Sequence, residues 1–382
     1  MFSKRLVYLD HAATSYPKPP AVLAAVTACM KHRGGNPGRG SHRLALEAAR
    51  EIYACREAAA ELFGAEPDRV IFTMNTTHAL NLAIKGIMGK GGHALCSDME
   101  HNSVYRPLYR LAEDGAADFD VFDTYPTSAL REDRRILGSL VDRVRPDTKA
   151  VVCAHASNIC SAVLPIESIA GFCRRRGLRL IVDGAQSAGA YPLHVDNMGI
   201  DALCLPGHKG LLGPQGTGML ILGRGITLDT LTEGGNGMDS LRGSMSAESP
   251  ERYEAGTLPT PAIAGLRAGL EYVKTVGVET IGDHERRLFR RVRDGLASIP
   301  HVTLYAPNRE GSTLLFSVDG YTSEEVGQRL NEEGICVRPG FHCSALGHRT
   351  LKTPAGGGVR VSFGLSSREQ DGEALLRAVS RL

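Results

Sequence analysis

At 382 residues the chain has room for two lobes, and its 42% hydrophobic and 23% charged residues can build a sizeable core. The formal net charge of +2 points toward neither nucleic acid nor a membrane surface, which leaves a small molecule as the default partner. No segment approaches the roughly 20 apolar residues that span a bilayer, and the leading MFSKRLVYLDHAATS has no signal-peptide core, so a cytoplasmic location is expected.

From about residue 44 to 260, short apolar runs alternate with helix-like stretches. Strands are expected at RVIFT (69–73), HALCS (93–97), DFDVF (118–122), AVVCA (150–154), LRLIV (178–182), DALCL (201–205) and GMLIL (218–222). Between them, ALNLAIKGIM and SVYRPLYRLAED carry apolar residues near helical spacing. This alternation predicts an α/β fold whose mostly parallel sheet is covered on both faces. Past residue 260, TPAIAGLRAGLEYVKTV and HERRLFRRVRDGLASI read as long helices. TLLFSV, CVRPG and GVRVSFG then read as strands before a final helix, which predicts a smaller α+β lobe. Nine cysteines, at 29, 55, 96, 153, 160, 173, 204, 336 and 343, form no C-x-x-C pair; neither a disulfide framework nor a metal site is expected.

Ligands of an open parallel sheet collect at the carboxyl ends of its strands. Five expected strands deliver polar groups there: Asn75, Thr76 and Thr77; Glu100, His101 and Asn102; His155, Ser157 and Asn158; Asp183 and Gln186; His208 and Lys209. Taken singly, Asp183 reads as a cap or turn residue, Thr76 and Thr77 as helix caps, and His101 as a structural histidine. Lys209 differs, because CLPGHKGLLGPQGTGM surrounds it with Gly207, Gly210, Gly213, Gly216 and Gly218, which a solvated loop lysine does not need. A lysine desolvated in such a loop is available as a neutral amine for Schiff-base chemistry. Pyridoxal 5'-phosphate requires that lysine, an aspartate for its ring nitrogen and a phosphate cup at a helix start; Lys209, Asp183 and the Asn75–Thr77 turn supply all three.

In the second lobe, VRPGFHCSALGH sets Cys343 beside His342, with Arg338 and His348 near in sequence. Positive neighbours favour a reactive thiolate, and an inert cysteine is the even alternative. Arg360, on the expected strand GVRVSFG, is either an ordinary structural arginine or a clamp for a substrate carboxylate.

The segments YLDHAATSYPKP, GGNPGRGSH, FTMNTTHALNLA, EHNSV, HASN, DGAQ, GHKGLLGPQGTG, YEAGTLPTP, RPGFHC and VRVSFG follow one another as in a known family. The chain resembles the class V aminotransferase group of fold-type I pyridoxal-phosphate enzymes, and within it the cysteine desulfurases and selenocysteine lyases. The resemblance implies a large cofactor-binding domain over 19–262 with a mostly parallel seven-stranded sheet. It implies a small domain of 1–18 and 263–382 that carries the cysteine loop. It implies that Lys209 carries the cofactor, that His208, Thr76 and Thr77 hold its phosphate together with Thr257 of a neighbouring subunit in a homodimer, and that Asp183 pairs with the ring nitrogen. Asn158 and Gln186 would bond the ring hydroxyl, His101 would stack on the ring and move protons, and Arg360 would grip the substrate carboxylate.

L-cysteine would then become L-alanine, with Cys343 taking the sulfur as a persulfide and a dedicated acceptor protein removing it. Alternatives on the same scaffold are a selenocysteine lyase, another class V transaminase or β-lyase, and a non-catalytic sulfur carrier. Five positions depart from the usual pattern: Pro206 replaces a hydroxyl residue that helps bind phosphate, Asn75 a glycine, Cys160 and Ser161 a Thr-Gly pair, and Pro339 a threonine.

Overall fold

The computed structural model describes residues 5–38, 40–126, 133–237 and 240–382; Arg39 of the GGNPGRGSH segment lies outside them. A two-residue strand β1 (Val7–Tyr8) precedes the seven strands of the main sheet: β2 (Val70–Thr73), β3 (His93–Ser97), β4 (Asp118–Phe122), β5 (Thr148–Ala154), β6 (Arg179–Asp183), β7 (Ala202–Pro206) and β8 (Gly218–Leu222). They lie in the order β2-β8-β7-β6-β5-β3-β4, and β8 alone runs against the others. The expected seven-stranded, mostly parallel α/β sheet is therefore present.

The central strands are short runs of Val, Ile, Leu, Ala and Cys, buried along their length because helices cover both faces. Their period of two is hidden in the sequence, where both faces are apolar. Packing reveals it: Val151, Cys153, Leu180, Val182, Leu203 and Ile221 enter one core, and Ala150, Val152, Ile181, Ala202, Cys204 and Leu220 the other. Pairing of Ala154 with Asp183, and of Pro206 with Gly218, sets the carboxyl end of the sheet at one level. Asp183 and Pro206 thus end their strands rather than follow them.

The remaining strands are β9 (Val302–Tyr305), β10 (Thr313–Val318), β11 (Ile335–Cys336), β12 (Arg338–Gly340) and β13 (Gly358–Ser362). The expected strand CVRPG is split, since β11 pairs with β1 while β12 joins an antiparallel sheet ordered β12-β13-β10-β9. Val7 and Leu9 enter the core beneath this second sheet, together with Leu288, Phe289, Leu314 and Val361. The helix Thr260–Val276, which straddles the expected division at 262 and 263, packs Ile263, Leu266 and Leu270 into a core of the main sheet. All nine cysteines are free; Cys343 is exposed and Cys336 half-buried. Among the described residues no helix is long and apolar enough to cross a membrane, and no cluster of side chains could hold a metal ion.

Candidate active site

The carboxyl ends of β2, β3, β5, β6 and β7 surround a cavity of about 290 Å³, lined by Asn75, Thr76, Thr77, His101, Asn158, Asp183, Gln186, Pro206, His208 and Lys209. Eleven residues carry a catalytic, cofactor or substrate role in the sequence reading: Thr76, Thr77, His101, Asn158, Asp183, Gln186, His208, Lys209, Thr257, Cys343 and Arg360.

 Eight of them line the cavity itself; Cys343 and Arg360 are tied to its wall through Asn102 and Asn158 without lining it, which makes ten, and Thr257 alone stands apart.

Thr76 and Thr77 open the helix Thr76–Met88, whose N-cap Asn75 accepts a hydrogen bond from the His78 amide at 2.9 Å. Asn75 is extended (φ −175°), so the glycine common at this position is not required by the backbone. The Thr76 hydroxyl is buried without a partner, at a helix start whose free amides favour an anion. His101 is likewise an N-cap: the Ser103 amide donates to its Nδ1 at 3.0 Å, which leaves the ring proton on Nε2. Ser103 Oγ lies 2.7 Å from that Nδ1 and 2.8 Å from Thr77 Oγ1, linking the two helix starts. Burial, then the charges of Lys209 and Arg360, lowers the His101 pKa to about 4, so the ring is neutral at physiological pH.

Asp183 is buried at the end of β6 and accepts from the Ala185 amide at 2.9 Å. Burial raises its pKa, and Lys209 opposes the rise. Burial also lowers Lys209 to about 8 against the pull of Asp183. Contact explains two of the glycines near Lys209: a Cβ on Gly210 would collide with the Ala188 carbonyl, and one on Gly218 would lie 2.7 Å from the Asn75 backbone; Gly216 instead takes a left-handed φ of 82°. On the other side, the His208 carbonyl accepts from the Ser15 amide at 3.1 Å, from Thr14 Oγ1 at 3.0 Å and from Lys18 Nζ at 2.7 Å. The YLDHAATSYPKP segment therefore clamps the lysine loop, a role its sequence did not disclose.

Arg360, on β13, is buried and donates to Asp10 Oδ1 at 2.9 Å and to the Asn158 carbonyl at 3.2 Å. Arg338, its register partner on β12, holds the other Asp10 oxygen at 2.7 Å. Asp10 was not singled out from the sequence. The Arg360 Nε remains buried and unpartnered, so the guanidinium keeps donor capacity for a further carboxylate. Asn158 Nδ2 donates to the His342 carbonyl at 2.8 Å, and Gln186 Nε2 to the Ala12 carbonyl at 3.0 Å.

Cys343 follows β12 on an exposed turn. His342 and Cys343 both occupy the left-handed region, at φ 52° and 54°, which costs non-glycine residues about 1–2 kcal/mol each. Hydrogen bonds hold the turn in that state: Asn102 N–H donates to the Cys343 carbonyl at 2.7 Å, and Ser344 Oγ to the Glu100 carbonyl at 3.2 Å. The nucleophile candidate is thus anchored to the helix start that carries His101. Ser161, in place of a common glycine, also takes a left-handed conformation (φ 55°), and its hydroxyl bridges both backbone groups of Thr313 at 2.8 Å. Pro206 presents no hydroxyl to the cavity. Thr257 is exposed and lines a separate hollow with Asn36, Gly38 and Asn236, so a single chain does not bring it to Lys209.

The donor set suits a phosphorylated aromatic ring with a cationic nitrogen: an orphaned hydroxyl at a helix start, a buried carboxylate lacking a full counter-charge, and a desolvated amine. Residues 7–375 match the family described as Aminotransferase class-V, and the chain belongs to that family of pyridoxal-phosphate enzymes. It is 33% identical to a probable cysteine desulfurase of Methanothermobacter thermautotrophicus over 94% of this chain and 90% of that one. It is 30% identical to a cysteine desulfurase of Salmonella typhimurium over 99% of this chain and 93% of that one. The apo structure of a cysteine desulfurase from Thermococcus onnurineus NA1 superposes with a TM-score of 0.89 at 27% identity, covering 98% of this chain and 94% of the other.

Proposed function

We propose that the protein is a cytosolic, homodimeric cysteine desulfurase that binds pyridoxal 5'-phosphate, converts L-cysteine to L-alanine and carries the sulfur on Cys343 as a persulfide. The observation that supports this reading is the exposed Cys343, whose carbonyl accepts from the amide of Asn102, between His101 and Ser103 that line the cavity with Lys209 and Asp183. A transaminase has no use for a thiol held there.

Thr76, Thr77 and His208 would hold the cofactor's phosphate, Asp183 its ring nitrogen, Asn158 and Gln186 its hydroxyl, and Lys209 its aldehyde carbon. When bound, the cofactor supplies an electron sink for the pair left at the substrate Cα. Arg360 orients the substrate through its α-carboxylate, and Asp10 fixes the guanidinium plane from behind. Lys209 Nζ takes the Cα proton, which a desolvated amine can do near neutral pH. His101, neutral and protonated on Nε2, orders the ring face and hands protons on. Cys343 Sγ, as thiolate, attacks the substrate Sγ; the S–S bond forms, the substrate Cβ–Sγ bond breaks, and its electron pair is taken up by the substrate skeleton, which is protonated at Cβ. A thiol reductant or an acceptor protein then removes the persulfide sulfur. The free cysteines fit a reducing compartment.

The test is alanine formation by the purified holoenzyme from L-cysteine and a thiol reductant. Alanine matched by sulfide is the expected result, and absence of both would overturn the reading. Two further outcomes follow. Capture of added pyridoxal phosphate by the apoprotein is expected to speed up with rising pH and level off above about 8, because the reactive neutral amine of Lys209 predominates once pH passes its lowered pKa. An ordinary lysine would keep gaining to about 10, and stopped-flow absorbance distinguishes the two. Thr257→Ala is expected to raise the cofactor concentration for half-occupancy about tenfold, the cost of one charge-assisted hydrogen bond from the partner subunit, with sedimentation still showing a dimer.

A further inference from the structure

Behind Cys343 lies a hydrogen-bonded row of side chains that the desulfuration chemistry does not use. His342 Nε2 stands 2.8 Å from the Arg338 carbonyl, His342 Nδ1 stands 3.1 Å from His348 Nε2, and His348 Nδ1 stands 2.9 Å from Thr353 Oγ1. The two imidazoles are buried and stacked, with centroids 5.3 Å apart and planes 17° from parallel. Burial lowers His342 to about 3 and His348 to about 4, so both rings are neutral.

Neutrality fixes the direction of every bond. The Arg338 carbonyl can only accept, so the His342 proton sits on Nε2 and Nδ1 must accept. His348 Nε2–H is then the donor to it, which leaves His348 Nδ1 to accept from the Thr353 hydroxyl. One arrangement satisfies all three contacts, and it starts at Thr353. It ends at the carbonyl of Arg338, the register partner of Arg360, and it locks the ring of the left-handed residue adjoining Cys343.

We infer that Thr353 and His348 are positioning residues for the sulfur-accepting thiol: the row Thr353–His348–His342 holds the Cys343 turn in its left-handed conformation over the cavity. The inference rests on Cys343 being the sulfur acceptor. Asn158 and Asn102 pin the carbonyls of His342 and Cys343, and the row pins the intervening side chain, so the turn is fixed on both its backbone and its ring. Thr353 and His348 touch neither substrate nor cofactor in this scheme.

Thr353→Val keeps the shape and removes the hydroxyl; Thr353→Ser keeps the hydroxyl. With holoenzyme, Thr353→Val is expected to lower kcat for alanine formation about tenfold with KM for L-cysteine within about twofold of the wild type, while Thr353→Ser retains wild-type turnover. Persulfide appearance on Cys343, read by mass spectrometry after a rapid quench, is expected to slow in parallel. Alkylation of Cys343 by iodoacetamide in the resting protein is expected to stay within about twofold, since the thiol remains exposed and only its placement changes. His348→Leu should reproduce the defect more strongly, and the Thr353 pair decides the matter if that variant folds poorly. An unchanged kcat in Thr353→Val, an equal loss in Thr353→Ser, or a rise in KM alone would overturn the inference. Wild-type protein that makes alanine without any persulfide on Cys343 would instead refute the assignment of the sulfur acceptor.

Discussion

Cys343→Ala is expected to lower turnover of L-cysteine to alanine by at least about 100-fold while leaving the cofactor's visible absorbance and the KM for cofactor untouched. The thiol makes no hydrogen bond that the cavity depends on; the turn is held by the carbonyls of His342 and Cys343, which alanine keeps. The variant should therefore fold and bind normally, with Arg360 still gripping Asp10. What it loses is the thiol proposed to take the sulfur, and the other eight cysteines are buried or half-buried. With L-selenocysteine the same variant should lose much less, because selenium leaves carbon more readily and needs a nucleophile less. Turnover of both substrates unaffected would rule out a persulfide on Cys343 and return the choice to a β-lyase or transaminase. The comparison also separates chemistry from stability, since an alanine in the left-handed region pays about the same backbone penalty as cysteine there.

Much of this site was legible in the residues because parallel sheets impose a geometry that sequence order alone conveys. Once AVVCA, LRLIV and DALCL are strands running the same way, Asn158, Asp183 and Lys209 must gather at one edge. The lysine loop was legible for a different reason: its glycines mark backbone approaches, and the structure shows those approaches at Ala188 and Asn75. What stayed hidden were long-range pairings with no local signature. Asp10 reaches Arg338 and Arg360 across more than three hundred residues of chain, and the Thr14 and Lys18 contacts to His208 span nearly two hundred. The packing of the helix Thr260–Val276 onto the main sheet was hidden for the same reason, since its apolar stripe shows that it packs but not against what. The opposite sense of β8 was equally invisible, because GMLIL reads the same in either direction.

Lys209→Ala is expected to abolish alanine formation, with a loss of about 10³-fold or more, and to do so without loosening the fold. In the proposed reaction two roles vanish with the amine: attachment of the cofactor and movement of the Cα proton. Stability should move the other way. Desolvation lowers the Lys209 pKa, and Asp183 only partly offsets that cost. Alanine removes the amine, and Asp183, whose pKa burial already raises, can take up a proton once the lysine no longer opposes it. The melting temperature of the apoprotein should hence equal or exceed that of the wild type, the usual sign of a residue retained for chemistry at the expense of stability. A variant that melts well below the wild-type apoprotein would show that Lys209 is a structural partner of Asp183 first, and its lost activity would then say nothing about catalysis. A variant that keeps its melting temperature and still binds cofactor through Thr76, Thr77 and Asp183, but turns over no cysteine, would isolate the amine as the group that moves the proton.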